Sequence, residues 1–134
     1  MCLAANLGGN AINKQLAGYV HAFAHSIGAK YHIPHGKAIA MCLMPVMRSQ
    51  TESCAGQLSE LARFCNFDSV DALFQALESL IDLCGLDLNA AIVSPKDFRS
   101  LSVAIAKDSV NYSAPMTFPR RQIISILSEI NKQK

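Results

Sequence analysis

The sequence predicts an all-α helical bundle, and three observations predict it. Apolar residues recur at spacings of three and four along most of the chain. No alternating stretch of five or more residues reads as a strand, and Asn-Gly and Asp-Gly hairpin pairs are absent. Half of the 134 residues are hydrophobic (51%) and only 16% are charged, enough apolar surface to offset the entropy of ordering a chain. That length matches one typical domain, so 1–134 is read as a single helical domain.

The first helix is expected at the N-terminus, with Gly8-Gly9-Asn10 inside it as small packing residues rather than a phosphate loop. His21 and His25 stand four apart on the next helix and so share one face. Gly28 can end that helix, and Ile33-Pro34 forces an extended residue before a new helix opens at His35 and runs through Ala38, Ile39 and Met41. Leu58, Leu61, Ala62 and Cys65 make the stripe of a helix over Gln57 to Cys65. Val70, Leu73, Leu77, Leu80, Ile81 and Cys84 form the clearest stripe, with Ser69 as N-cap and Gly85 at the left-handed C-terminal position. Ser94-Pro95-Lys96-Asp97 reads as cap, proline at the first helical position and acid at the third, leading into Phe98, Leu101, Ala104 and Ile105. The last helix, Arg120 to Asn131, carries Ile123, Ile124, Leu127 and Ile130 on one side. Pro34, Pro45, Pro95, Pro115 and Pro119 are expected in the short connections.

Composition excludes several classes. Twelve Lys and Arg against ten Asp and Glu give +2 with no basic block, so nucleic acid is not expected as a partner. Apolar runs such as Ile39 to Val46 fall far short of the roughly 20 residues of a bilayer span, and no signal-type apolar core opens the chain. A soluble, cytoplasmic protein without membrane contact is expected. Five cysteines with no C-x-x-C fit neither a disulfide framework nor a zinc ribbon and read as buried small hydrophobes. Mean hydropathy of +0.22 is high for so small a domain, which points to self-association or to packing against a further polypeptide.

All four histidines fall between positions 21 and 35. Two helices joined by a short loop can bring His35 back towards His21 or His25, placing two or three imidazoles round one point. Imidazole is the usual ligand for zinc and for ferrous iron among nitrogen and oxygen donors. The H-E-x-x-H arrangement is excluded because Ala22 stands where its glutamate would be, and G-x-S-x-G is absent.

Gly18-x-x-His21-x-x-x-His25-x-x-Gly28, followed by Pro34-His35-Gly36, resembles the signature of the iron-containing (group III, metal-dependent) alcohol dehydrogenases. Met1 to Gly9 is similar to the family's small-residue helix before the signature, and Leu43 to Arg48 to the segment after it. Phe98 to Leu127, with Ala106-Lys107-Asp108 and then Ala114 to Arg120, is similar to the closing helices, Thr117-Phe118-Pro119-Arg120 replacing the usual Asn-Pro-Arg wording. The resemblance covers essentially the whole chain but about the last third of a full member. It implies the C-terminal metal-binding domain shared with dehydroquinate-synthase-like proteins.

The resemblance also implies roles. His21 and His35 match two of four ligands to a divalent metal, iron or zinc. His25 matches the histidine beside nicotinamide and substrate, a cofactor contact and a candidate proton relay. Gly18, Gly28 and Gly36 match turn and close-packing positions, and His32 matches no functional position, reading as a loop residue near enough to serve as a backup ligand. The family's remaining ligands, an Asp and a further His, come from an upstream helix, and residues 1–20 contain no Asp, Glu or His. The glycine-rich nucleotide-binding half is likewise missing. The expectation is therefore the C-terminal portion of an NAD- or NADP-linked enzyme for small alcohols or aldehydes, incomplete and inactive alone, partnered by a complementary N-terminal half or by copies of itself. The alternative is a non-catalytic helical oligomerisation or binding module retaining a relic of the histidine motif. A small metallohydrolase is disfavoured because no acid lies within the motif to act as base.

Overall fold

A computed structural model describes residues 1–15, 17–86, 88, 93–112 and 116–132, with the side chains of 13–15 left aside. Among the described residues seven α-helices follow in order: α1 (Cys2–Gln15), α2 (Tyr19–Tyr31), α3 (His35–Ser49), α4 (Ala55–Phe64), α5 (Val70–Leu83), α6 (Phe98–Ser109) and α7 (Arg120–Ile130). Among the described residues there is no strand, and no helix is long and apolar enough to cross a membrane. Pro115 lies outside the described residues.

Helices α2, α3, α6 and α7 enclose the main core. Phe23, Ile27, Met41, Ile105, Ile123, Ile126 and Leu127 are almost wholly removed from water. Each comes from a stripe spaced by three or four, as on a helix buried along one face. Tyr19 ties the last helix to α2: its ring lies 4.2 Å from that of Phe118, and its hydroxyl accepts the Phe118 N–H at 2.8 Å. Tyr31 does the same for α6, donating to Asp97 Oδ2 at 2.7 Å and accepting the Ser94 N–H at 3.0 Å. Arg120 Nε donates to the buried Ser102 hydroxyl at 2.9 Å. A second, smaller core gathers Met44 of α3 with Cys54, Leu58, Ala62, Leu73 and Phe74 of the α4–α5 hairpin. Helix α1 lies apart from both, with Leu3, Leu7 and Ile12 exposed.

The helix ends refine the sequence reading. Ser69 caps α5 as expected, its hydroxyl accepting the Ala72 N–H at 3.1 Å, and Gly85 is left-handed at φ 62°. Gly28, by contrast, does not end α2. The helix runs on to Tyr31 and is closed by His32 in the left-handed region at φ 55°. Ser94 makes no side-chain cap, and the chain enters α6 through a 3-10 turn, Pro95–Asp97. The Tyr31 hydroxyl accepts the Ser94 backbone N–H at this turn. Pro45 sits inside α3 rather than in a connection. It forfeits one backbone bond, yet the buried face of Ala38, Met41, Cys42, Met44 and Val46 carries the helix through it to Ser49. Two of the five free thiols, Cys42 and Cys54, are buried as expected, whereas Cys2, Cys65 and Cys84 are exposed. Burial pushes the Cys42 thiol up to about 12, so it is inert at neutral pH.

Candidate functional site

The three histidines arise from two helices and the turn between them. On α2, His21 and His25 are one turn apart, with ring centroids 5.7 Å apart and planes nearly perpendicular at 79°. The turn then folds tightly over the helix it leaves. His32 and Ile33 both direct their N–H groups to the Gly28 carbonyl, and Pro34 is extended at ψ 138° before α3 begins. A Cβ on Gly28 would stand 3.2 Å from the Ile33 carbonyl oxygen and 3.6 Å from the Ala38 Cβ. Gly28 therefore permits α3 to cross close against α2, which is the packing role expected of it. Gly18 and Gly36 have nothing within 4 Å of such a Cβ, so neither is held by crowding among the described residues.

That close crossing returns His35 to the first two. Its ring centroid lies 5.5 Å from that of His21 and 5.2 Å from that of His25. The imidazoles thus form a triangle at the α2–α3 junction. His32 is exposed, and among the described residues the ring contacts join the other three and leave it out. Burial, and then the neighbouring His35 and His25, hold the His21 pKa below its ordinary value. Its neutral form, the one able to donate a lone pair to a cation, is therefore favoured.

The donor set can be tested against a cation. Two imidazoles on one tetrahedral ion hold their ring centroids about 5 Å apart, a spacing that His21–His35 at 5.5 Å and His25–His35 at 5.2 Å both approach. Among the described residues, no three His, Cys, Asp or Glu side chains form a ready cation cage. The third imidazole is engaged elsewhere: His25 Nδ1 lies 2.9 Å from the Tyr112 hydroxyl and 3.3 Å from Asp108 Oδ2. Tyr112 in turn donates to Asp108 Oδ2 at 3.1 Å. Burial and this carboxylate raise the Tyr112 pKa, which keeps its hydroxyl protonated as a donor.

His25 stands between two small clefts. One, of about 210 Å³, is lined by Ala24, His25, Gly28, Ala29, Ile33 and His35. The other, of about 330 Å³, lies against α6 and includes Ser26, Lys107 and Asp108. Both sit at or below the lower end of the range for ligand pockets. Sequence reasoning passed over Tyr112 and saw Asp108 only as part of a family segment. Their spacing of four was the available signal, but their distance of more than 80 positions from His25 hid the contact.

The family model described as "Fe-containing alcohol dehydrogenase family, C-terminal" matches residues 1–131. The chain is 30% identical over 135 residues to "Alcohol dehydrogenase 4" of Saccharomyces cerevisiae, covering 96% of this chain and 35% of the relative. It is 28% identical to the "1,3-propanediol dehydrogenase" of Citrobacter freundii, covering 96% of this chain and 36% of that one. Among solved structures it superimposes on an alcohol dehydrogenase from Oenococcus oeni with a TM-score of 0.79 and 27% identity, covering 92% of this chain and 35% of that one. The chain thus spans about a third of the length of the curated relatives it matches.

Proposed function

The chain belongs to the iron-containing alcohol dehydrogenase family, and from that premise we propose that it is the C-terminal, metal-binding portion of an NAD(P)-linked enzyme acting on small alcohols or aldehydes. The observation that carries this reading is the triangle of His21, His25 and His35, three imidazoles from two helices with centroids 5.2 to 5.7 Å apart. His21 and His35 supply two ligands to an iron or zinc ion. A divalent cation held there would act as a Lewis acid on the alcohol or carbonyl oxygen while hydride passes to or from a nicotinamide. His25, exposed beside the clefts, gives or takes the proton at one ring nitrogen and lines the nicotinamide side. The absence of a side chain at Gly28 lets α3 approach α2 closely enough to bring the ligand pair together.

Two protein donors make a weak site, since stable centres use three or four. Further ligands and the nucleotide seat come from a complementary N-terminal portion, so this chain by itself does not turn over NAD(P)H. Metal content by elemental analysis, with wild type beside His21→Ala and His35→Ala, tests the assignment. Each substitution should weaken binding by more than tenfold, because even residues that only orient a ligand are worth 10- to 100-fold. Equal metal content in all three proteins would instead support a non-catalytic helical module.

A further inference from the structure

Resting on that reading of His25, we propose that Asp108 and Tyr112 are positioning residues that hold it as its Nδ1–H tautomer and leave the Nε2 lone pair as the proton-transfer group. Three atoms form a closed triangle: His25 Nδ1, the Tyr112 oxygen and Asp108 Oδ2, with edges of 2.9, 3.1 and 3.3 Å. A protonated Nδ1 puts two hydrogens on these three edges. Nδ1–H donates to the Tyr112 oxygen and the carboxylate, and the Tyr112 hydroxyl donates to Asp108. The Tyr112 oxygen and Asp108 Oδ2 then each meet a donor. With Nδ1 bare, the Tyr112 hydroxyl is the one hydrogen for two acceptors, and the imidazole lone pair faces a carboxylate at 3.3 Å. The carboxylate decides between the two, as it does wherever a carboxylate fixes the tautomer of a histidine.

The elements make this a positioning device rather than a local accident. Asp108 lies in the last turn of α6, and the turn beyond it is fixed by Asn111 and Tyr112 donating their N–H groups to the Asp108 and Ser109 carbonyls. His25 has a side chain 44% exposed, so its ring could turn freely on α2 if α6 did not hold one edge. The edge left over, Nε2, has no hydrogen-bond partner among the described residues.

The test reads the ring directly. Full-length chain labelled with 15N in its imidazoles is treated with chelator and held at a pH where the rings are neutral. The His25 signals are assigned by their loss in His25→Gln. Wild type should show a pyrrole-type Nδ1 and a pyridine-type Nε2. Asp108→Ala should lose that preference, Asp108→Asn should move towards the reverse tautomer by offering an amide N–H to Nδ1, and Tyr112→Phe should keep the wild-type pattern through the remaining carboxylate. A wild-type Nε2–H tautomer, or an Asp108→Ala spectrum identical to wild type in a protein folded by circular dichroism, would overturn the proposal. The wild-type spectrum decides even if a variant fails to fold. Metal titration of the same samples separates this from the functional reading. Asp108→Ala should bind metal as wild type does, and a wild type that binds none would sink the ligand assignment while leaving the tautomer result standing.

Discussion

Helix α3 serves two regions that differ in how they are held. Towards α2, α6 and α7 it contributes Ala38, Met41, Cys42 and Val46 to a core whose largest side chains are wholly buried, braced by Tyr19 and Tyr31 across elements far apart in sequence and by Arg120 between α6 and α7. Towards α4 and α5 it contributes Met44 to a core of six buried residues. That hairpin leaves Phe64 and Leu83 over 80% exposed. Its chief polar tie to α3 is the surface pair Arg48–Glu78 at 2.7 Å, with the Arg48 guanidinium 5.4 Å from the centroid of the Phe74 ring. Partly exposed pairs of this kind contribute little. The imidazole triangle sits on the first region, where the spacing of two helices is fixed from several sides.

The largest effect should separate the regions by burial alone. Phe23→Ala in the main core should cost about 3–5 kcal/mol, through lost transfer energy and the cavity left behind. Phe64→Ser on the hairpin should stay within about 0.5 kcal/mol. Urea denaturation followed by circular dichroism measures both. A large loss from Phe64→Ser would mean that this face is covered in solution.

Gly28→Val tests the site more narrowly. Its branched side chain would meet the Ile33 carbonyl and Ala38, already 3.2 and 3.6 Å from a bare Cβ, and must push α3 outward. Overpacking of that order costs about 1–3 kcal/mol, and the His21–His35 spacing should widen with it. Metal affinity should therefore fall although no ligand is changed. Unchanged affinity would show that the α2–α3 crossing does not set the pair. On the hairpin, Ser69→Ala should cost about 1 kcal/mol by removing the Ala72 cap, with no effect on metal content.

What the sequence made legible follows the same division. Helix faces were readable in outline, because a period of three to four is a local property: Leu73, Leu101, Ile105, Ile123, Leu127 and Ile130 are buried as expected, whereas Leu80, Cys84 and Ala104 of the expected stripes are exposed and Phe74, Ser102 and Ile126 are buried beside them. Local caps were readable where the capping group is in the same segment, as at Ser69 and Gly85. Others failed: Ser94 makes no side-chain cap, α2 runs past Gly28 to close at His32, and α3 continues through Pro45 with its buried face intact. The convergence of His21, His25 and His35 could be anticipated from a short connection between two helices. The Asp108–Tyr112 clasp on His25 could not, since it depends on how α6 docks across α2.

The smallest effect expected is a pH dependence confined to the histidine region. His21 has its pKa lowered from the ordinary 6.5 by burial and by His35 and His25. The unfolded chain therefore binds its proton more readily than the folded one, and stability rises with pH between the lowered value and 6.5. The penalty is absent above that window and complete below it. Asp97, held below the usual carboxylate value of 3.8 by hydrogen bonds from Tyr31 and Lys30, loses its contribution only at more acid pH. The two slopes are thus separable. In chelator-treated protein the urea midpoint should fall as pH drops from 7 towards 5, and His21→Gln should flatten that segment while keeping the acid limb due to Asp97. An unaltered segment in His21→Gln would assign the slope to other groups and remove the evidence that crowding keeps this imidazole neutral. Phe64→Ser, remote from the triangle, should follow the wild-type curve across the same interval, so the histidine region and the hairpin would differ in proton linkage as they do in packing.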